Sequence, residues 1–156
     1  MPNITIREYN PNTGALIGNI TALSFGRVAA GTTSPIKVID FAFANVSSVS
    51  NVKLGITSSS RLIVNPDPTG VIADGSAENG FFGIEHTTSF DPSVASGPLT
   101  RHFAGVNEDQ TAGNGNNVLI GNRSATLSSF VYLDIELGAN NFGTAGGTYR
   151  VFFDFE

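Results

Sequence analysis

Apolar residues recur at every second position through most of this chain, and the breaks between those stretches are rich in Gly, Asn, Pro and Ser. That is the pattern of short strands separated by turns, and no segment carries a helical period. The first predicted strand is Ile4 to Tyr9, closed by Asn10-Pro11-Asn12-Thr13-Gly14, a turn whose Pro and Gly set its geometry. A second run covers Leu16 to Val28, bent or divided near Gly18-Asn19. In Pro35 to Ala44, Ile39, Phe41 and Phe43 share one face with Lys37 at its entrance, and Asp40 predicts a partly wet opposite face. Val52 to Thr57 and Leu62 to Val64 read as shorter strands. The Asn65-Pro66-Asp67-Pro68-Thr69-Gly70 segment then excludes a central strand, because two prolines cannot donate to a ladder.

Farther on, Gly80 to Thr88 and Leu99 to Val106 are predicted strands flanking a loop at Asp91 to Pro98. Gly105 to Asn117 has almost no apolar content and predicts an exposed, mobile loop. The sharpest alternation lies at Phe130 to Leu137, where Val131, Leu133, Ile135 and Leu137 alternate with Tyr132, Asp134 and Glu136. It predicts a half-buried strand with one wet face. Thr148 to Glu156 repeats the theme, with Tyr149, Val151, Phe153 and Phe155 set against Arg150, Phe152, Asp154 and Glu156. Gly138 to Gly147 connects the two. Eight to ten short strands without helices predict an all-β fold, an antiparallel β-sandwich of immunoglobulin-like or jelly-roll topology, with a closed barrel as the alternative. No repeat or linker divides residues 1–156, so one sandwich domain is expected.

Composition narrows the function classes. Charged residues make up 13% of the chain, about half of the roughly 25% usual for a globular protein, while Ser, Thr and Asn together supply 44 of the 156 residues. The net charge is −5, with only two lysines, Lys37 and Lys53, and six scattered arginines. No basic stripe is available to release counterions from nucleic acid, so direct DNA or RNA binding is not expected. Met1-Pro2-Asn3-Ile4 leads straight into a strand pattern and no apolar run approaches a membrane-spanning length, so neither a signal peptide nor a membrane helix is expected. With no cysteine, packing rather than disulfides or thiolate-bound metal must stabilise the fold.

Catalytic chemistry finds little support. His86 and His102 are the residues that titrate near neutrality, but His86 follows Glu85 in a strand, which sends the two side chains to opposite faces. No nucleophile elbow, His-Glu-x-x-His motif or phosphate-cradling loop is present. Asp67, Asp74, Glu78, Glu108 and Asp109 lie in turn-rich segments suited to calcium, yet none follows a calcium-loop spacing, and solvated or capping roles are expected. Sequons at Asn3, Asn19, Asn45 and Asn122 are near chance in so Asn-rich a chain. No catalytic, metal or cofactor residues are therefore assigned.

The aromatic residues say more. Phe81-Phe82 and Phe152-Phe153 place large rings on adjacent strand positions, so one ring of each pair points away from its neighbour's face. If Phe153 joins the core, Phe152 faces outward, to be covered by a segment such as that around Phe142 or by a partner subunit. Low charge with outward aromatics suits a protein interface, and Phe152, Phe81, Phe82, Tyr132 and Phe142 form the candidate partner surface.

The stretch Leu23-Ser24-Phe25-Gly26-Arg27-Val28-Ala29-Ala30-Gly31, leading through Lys37-Val38-Ile39-Asp40 to Phe43-Ala44-Asn45-Val46, is similar to the first two strands of an immunoglobulin-like sandwich. Together with the Met start, absent Cys, scarce Lys, polar turns and terminal aromatic strand, it resembles small β-sandwich structural proteins of tailed bacteriophage virions, such as head-decoration and fibre proteins. The resemblance spans about a third of the chain and carries over no functional residue. It implies a non-enzymatic virion subunit, assembled in the host cytoplasm, that stabilises a particle by docking on other virion proteins or on copies of itself. The alternative expectation is a carbohydrate-binding adhesion module for host-surface glycans, with Tyr132, Phe81 or Phe142 stacking on sugars and Asn-rich loops supplying hydrogen bonds.

Overall fold

Ile39, Phe41 and Phe43 are buried on one face of their strand, as their spacing predicts, and they meet residues from a second sheet. The computed structural model describes residues 1–29, 31–58, 81–102, 117–123, 129–136 and 147–156. Nine strands are described: β1 (Asn3–Tyr9), β2 (Leu16–Ile20), β3 (Lys37–Ala44), β4 (Val49–Ser58), β5 (Phe81–Thr87), β6 (Arg101–His102), β7 (Asn117–Arg123), β8 (Phe130–Glu136) and β9 (Gly147–Phe155). They form a six-stranded sheet in the order β2-β1-β3-β8-β5-β6 and a three-stranded sheet in the order β7-β4-β9. Every pairing is antiparallel. The fold is an all-β sandwich.

The main core lies between the sheets. Ile39, Phe41 and Phe43 of β3, Ile84 of β5, and Val131, Leu133 and Ile135 of β8 pack against Val49, Val52 and Leu54 of β4 and Ile120 of β7. Tyr149, Val151 and Phe153 of β9 add a partly buried flank, and Phe153 lies 4.7 Å from the ring of Phe43. Asn45 takes a left-handed conformation (φ 62°) between β3 and β4, where the chain passes from one sheet to the other. Asn tolerates that geometry better than most residues.

Several elements depart from expectation. The Leu16–Val28 run is a strand only to Ile20; beyond it, Leu23, Phe25 and Val28 still pack on the core, so their apolar spacing serves burial without a ladder. β7 was not predicted, although Val118-Leu119-Ile120 is apolar and Ile120 is buried. Of the Leu99–Val106 prediction, Arg101–His102 is a strand, and 103–106 lie outside the described residues. Also outside them are Leu62–Val64, the 65–70 turn and loop residues 105–116.

The largest correction concerns β8. Its wet face does not exist: Tyr132 and Asp134 are buried like Val131 and Leu133, and only the two end residues, Phe130 and Glu136, are partly exposed. β8 is central in its sheet, and residues 88–100 fold over the outer face with one 3-10 turn at Val94–Ser96. There Tyr9, Val38, Leu99 and Tyr132 form a second core with Phe90, Val94 and Phe130 packed against it. Asp40, expected to be partly wet, is buried on this same face.

Candidate functional site

The chemistry of the described residues concentrates on this covered outer face. β1 and β3 pair in register so that Arg7 lies opposite Asp40 and Tyr9 opposite Val38. The guanidinium grips the carboxylate with two bonds, Nε to Oδ1 at 2.8 Å and Nη2 to Oδ2 at 2.5 Å, and the Tyr9 hydroxyl donates to Oδ2 at 2.9 Å. A buried charge held by a bidentate partner and a hydroxyl is satisfied rather than poised for chemistry. The pKa of Arg7 is raised chiefly by the hydrogen bond to Asp40, and that of Tyr9 by desolvation, then by the same carboxylate.

Tyr132 occupies the next position across the sheet. Its ring is fully buried beside Phe90, and its hydroxyl lies 2.8 Å from Thr87 Oγ1 while accepting the Asp91 N–H at 2.8 Å. Tyr132 therefore pins the covering segment to the sheet and presents no surface to a partner or a sugar. Asp91 in turn accepts the Ser93 N–H and hydroxyl, which start the 3-10 turn and lower its pKa. Gly14, at φ +73°, closes the β1–β2 turn under the Phe90 ring, where a Cβ would stand 2.6 Å from Phe90 Cδ1.

A cleft of about 350 Å³ opens where the segment before β3 meets the covering segment, lined by Thr33, Ser34, Pro35, Ile36, residues 95–98 and Asp134. Ser34 is locked: its hydroxyl donates to Pro35 O and accepts the Ile135 N–H, and its own N–H donates to Ile135 O. Asp134 is the only titratable group among the described residues lining the cleft, so a paired acid and base are missing there. Its charge also raises the Tyr149 pKa, after the larger effect of burial.

The remaining sequence candidates do not converge. The β5–β8 register sets Glu85 opposite Tyr132 and His86 opposite Val131, on opposite faces; Glu85 accepts from the Thr100 backbone and hydroxyl, and His86 is exposed. Among the described residues no three His, Asp or Glu cluster as metal ligands, and Asp67, Asp74, Glu78, Glu108 and Asp109 lie outside them. Of the proposed partner surface, Phe81 and Phe82 sit on β5 in the larger sheet and Phe152 on β9 in the smaller, with Phe142 outside the described residues. Comparison with family models, characterised proteins and solved structures finds no match.

What the sequence reading missed is at the sheet edges. Leu16 and Ile17 of β2 are 57% and 61% exposed, and Phe155, expected in the core, is 53% exposed near the end of β9. Ile17 is the extra residue of a bulge, since Glu8 pairs with Gly18 and Tyr9 with Leu16. Alternation alone could not find these residues, because it does not say which strands are outermost.

Proposed function

We propose that this protein is a non-enzymatic structural subunit that docks into a larger assembly, a virion particle in the reading the family resemblance favours. The observation that carries it is the exposure of apolar side chains at sheet edges, Leu16 and Ile17 on β2 and Phe155 on β9, in a chain with half the usual charge. Exposed apolar side chains of this kind mark surfaces that another protein covers. The polar constellations support the same reading: the Arg7–Asp40–Tyr9 and Tyr132–Thr87–Asp91 groups spend their bonds on holding the sheet and its cover together.

The test is co-sedimentation of the purified protein with empty heads of a tailed phage from the same source, with light scattering of the protein alone. Saturable binding at a fixed ratio per head is expected. A monodisperse monomer that never associates with heads would overturn the proposal. A glycan array addresses the carbohydrate-binding alternative, which has lost its Tyr132 platform to burial.

A further inference from the structure

The sheet edges differ in how open they are to a second strand. β2 is five residues long and bulged at Ile17, which blunts its edge, while β6 and β7 border residues outside the described ones. β9 is nine residues long, and among the described residues no strand pairs with its far side. The irregularity in its pairing with β4 falls in β4, where Asn51 turns to φ 51° between Ser50 and Lys53, leaving β9 itself continuous.

The backbone direction along β9 follows from Glu156, the residue just after it. The Glu156 N–H donates to Ser48 O at 3.2 Å and its C=O accepts the Ser47 N–H at 2.5 Å, so Glu156 turns both groups toward the β4 side. Successive residues alternate in a strand, so 154, 152 and 150 share that direction, whereas Phe155, Phe153 and Val151 turn theirs to the open edge. An antiparallel partner must therefore pair with the odd-numbered residues.

We propose that β9 pairs with β9 of a second copy about a two-fold axis at Phe152, joining the two small sheets into one. The inference rests on the assembly reading above and names its partner. With the axis at Phe152, Val151 and Phe153 face Phe153 and Val151 of the second copy as hydrogen-bonded pairs, matching the groups β9 leaves open. Arg150 falls opposite Asp154 of the second copy, twice per dimer, at the non-hydrogen-bonded positions where side chains come closest. Moving the axis by one residue keeps the backbone parity, but an axis at Val151 sets Arg150 against Phe152, and an axis at Phe153, which sets Arg150 against Glu156, shortens the paired stretch from 148–156 to 150–156, so charge complementarity and ladder length together favour the axis at Phe152. Half-exposed Phe155 lies within the paired stretch.

The full-length protein is tested by sedimentation, with circular dichroism to verify folding. Wild type is expected to be dimeric. Arg150→Asp, which sets Asp against Asp, should weaken the dimer about tenfold or more, and Arg150→Asp with Asp154→Arg should restore it. The chain has no native cysteine, so Phe152→Cys, which faces itself across the axis at disulfide distance, should cross-link under mild oxidation while Asp154→Cys does not. A wild type that is monomeric at every concentration overturns the pairing, and head binding then judges the subunit reading separately. A wild type that self-associates while Arg150→Asp changes nothing and Phe152→Cys stays unlinked overturns the β9 pairing and leaves the assembly reading standing.

Discussion

On the inner face of the six-stranded sheet, β3 and β8 bury Ile39, Phe41, Phe43, Val131, Leu133 and Ile135, with no polar side chain among them. On the outer face the same two strands bury Val38, Asp40, Tyr132 and Asp134. The inner face needs only area and fit, because burying apolar surface is favourable whatever its orientation. The outer face needs partners, since each buried carboxylate or hydroxyl costs free energy unless a donor or acceptor meets it. Arg7 and Tyr9 meet Asp40, while β5 supplies Thr87 and the covering segment supplies the Asp91 N–H to Tyr132. One face is thus tolerant of apolar exchange, and the other is specified by hydrogen-bond geometry.

The sharpest break of that contrast is a matched pair of truncations followed by denaturant titration. Phe41→Ala, at a site 1% exposed, should cost about 3–5 kcal/mol and should be partly recovered by another large apolar residue. Arg7→Ala should cost about 3 kcal/mol because Asp40 stays buried with only the Tyr9 hydroxyl, but Arg7→Met with Asp40→Leu should return most of the loss. An additive double variant would mean that the ion pair does not set the outer face's demands. Next in size is Gly83→Ala. A Cβ there would stand 2.9 Å from both Asp134 Cγ and Leu99 Cβ, so a loss of about 1–3 kcal/mol is expected from the addition of one methyl group.

The smallest effect appears only in alkali. Burial raises the pKa of Tyr9 and Tyr149 in the folded chain, so the unfolded chain releases those protons first. Stability should be fully present below about pH 10 and fall as pH rises toward the folded values. Tyr149→Phe should flatten that decline in thermal melts recorded from neutral to alkaline pH, and an unchanged slope would exclude Tyr149 as a contributor.

The period-2 alternation of β1, β3, β8 and β9 and the turn chemistry at 10–14 are local properties, and they located strands and predicted an antiparallel sandwich without any knowledge of pairing. The Asn10 side chain, which accepts the Asn12 and Thr13 N–H groups, shows how far local chemistry reaches. Exposure was legible at Asp154 and Glu156, charged residues at the end of β9 that are exposed as expected.

Whether a polar position is wet depends on what lies over it, and that is a nonlocal fact. Tyr132 and Asp134 have the spacing of a solvent face, yet β8 sits at the centre of its sheet under residues 88–100. The same spacing at β9 ends in a half-exposed Phe155, because β9 is outermost among the described strands. The sequence by itself determined which residues form strands and which side of each strand is more apolar, because side chains alternate along any extended backbone. Only the tertiary structure decided which strands have neighbours on both sides and which face is covered, because those depend on contacts between residues far apart in the chain.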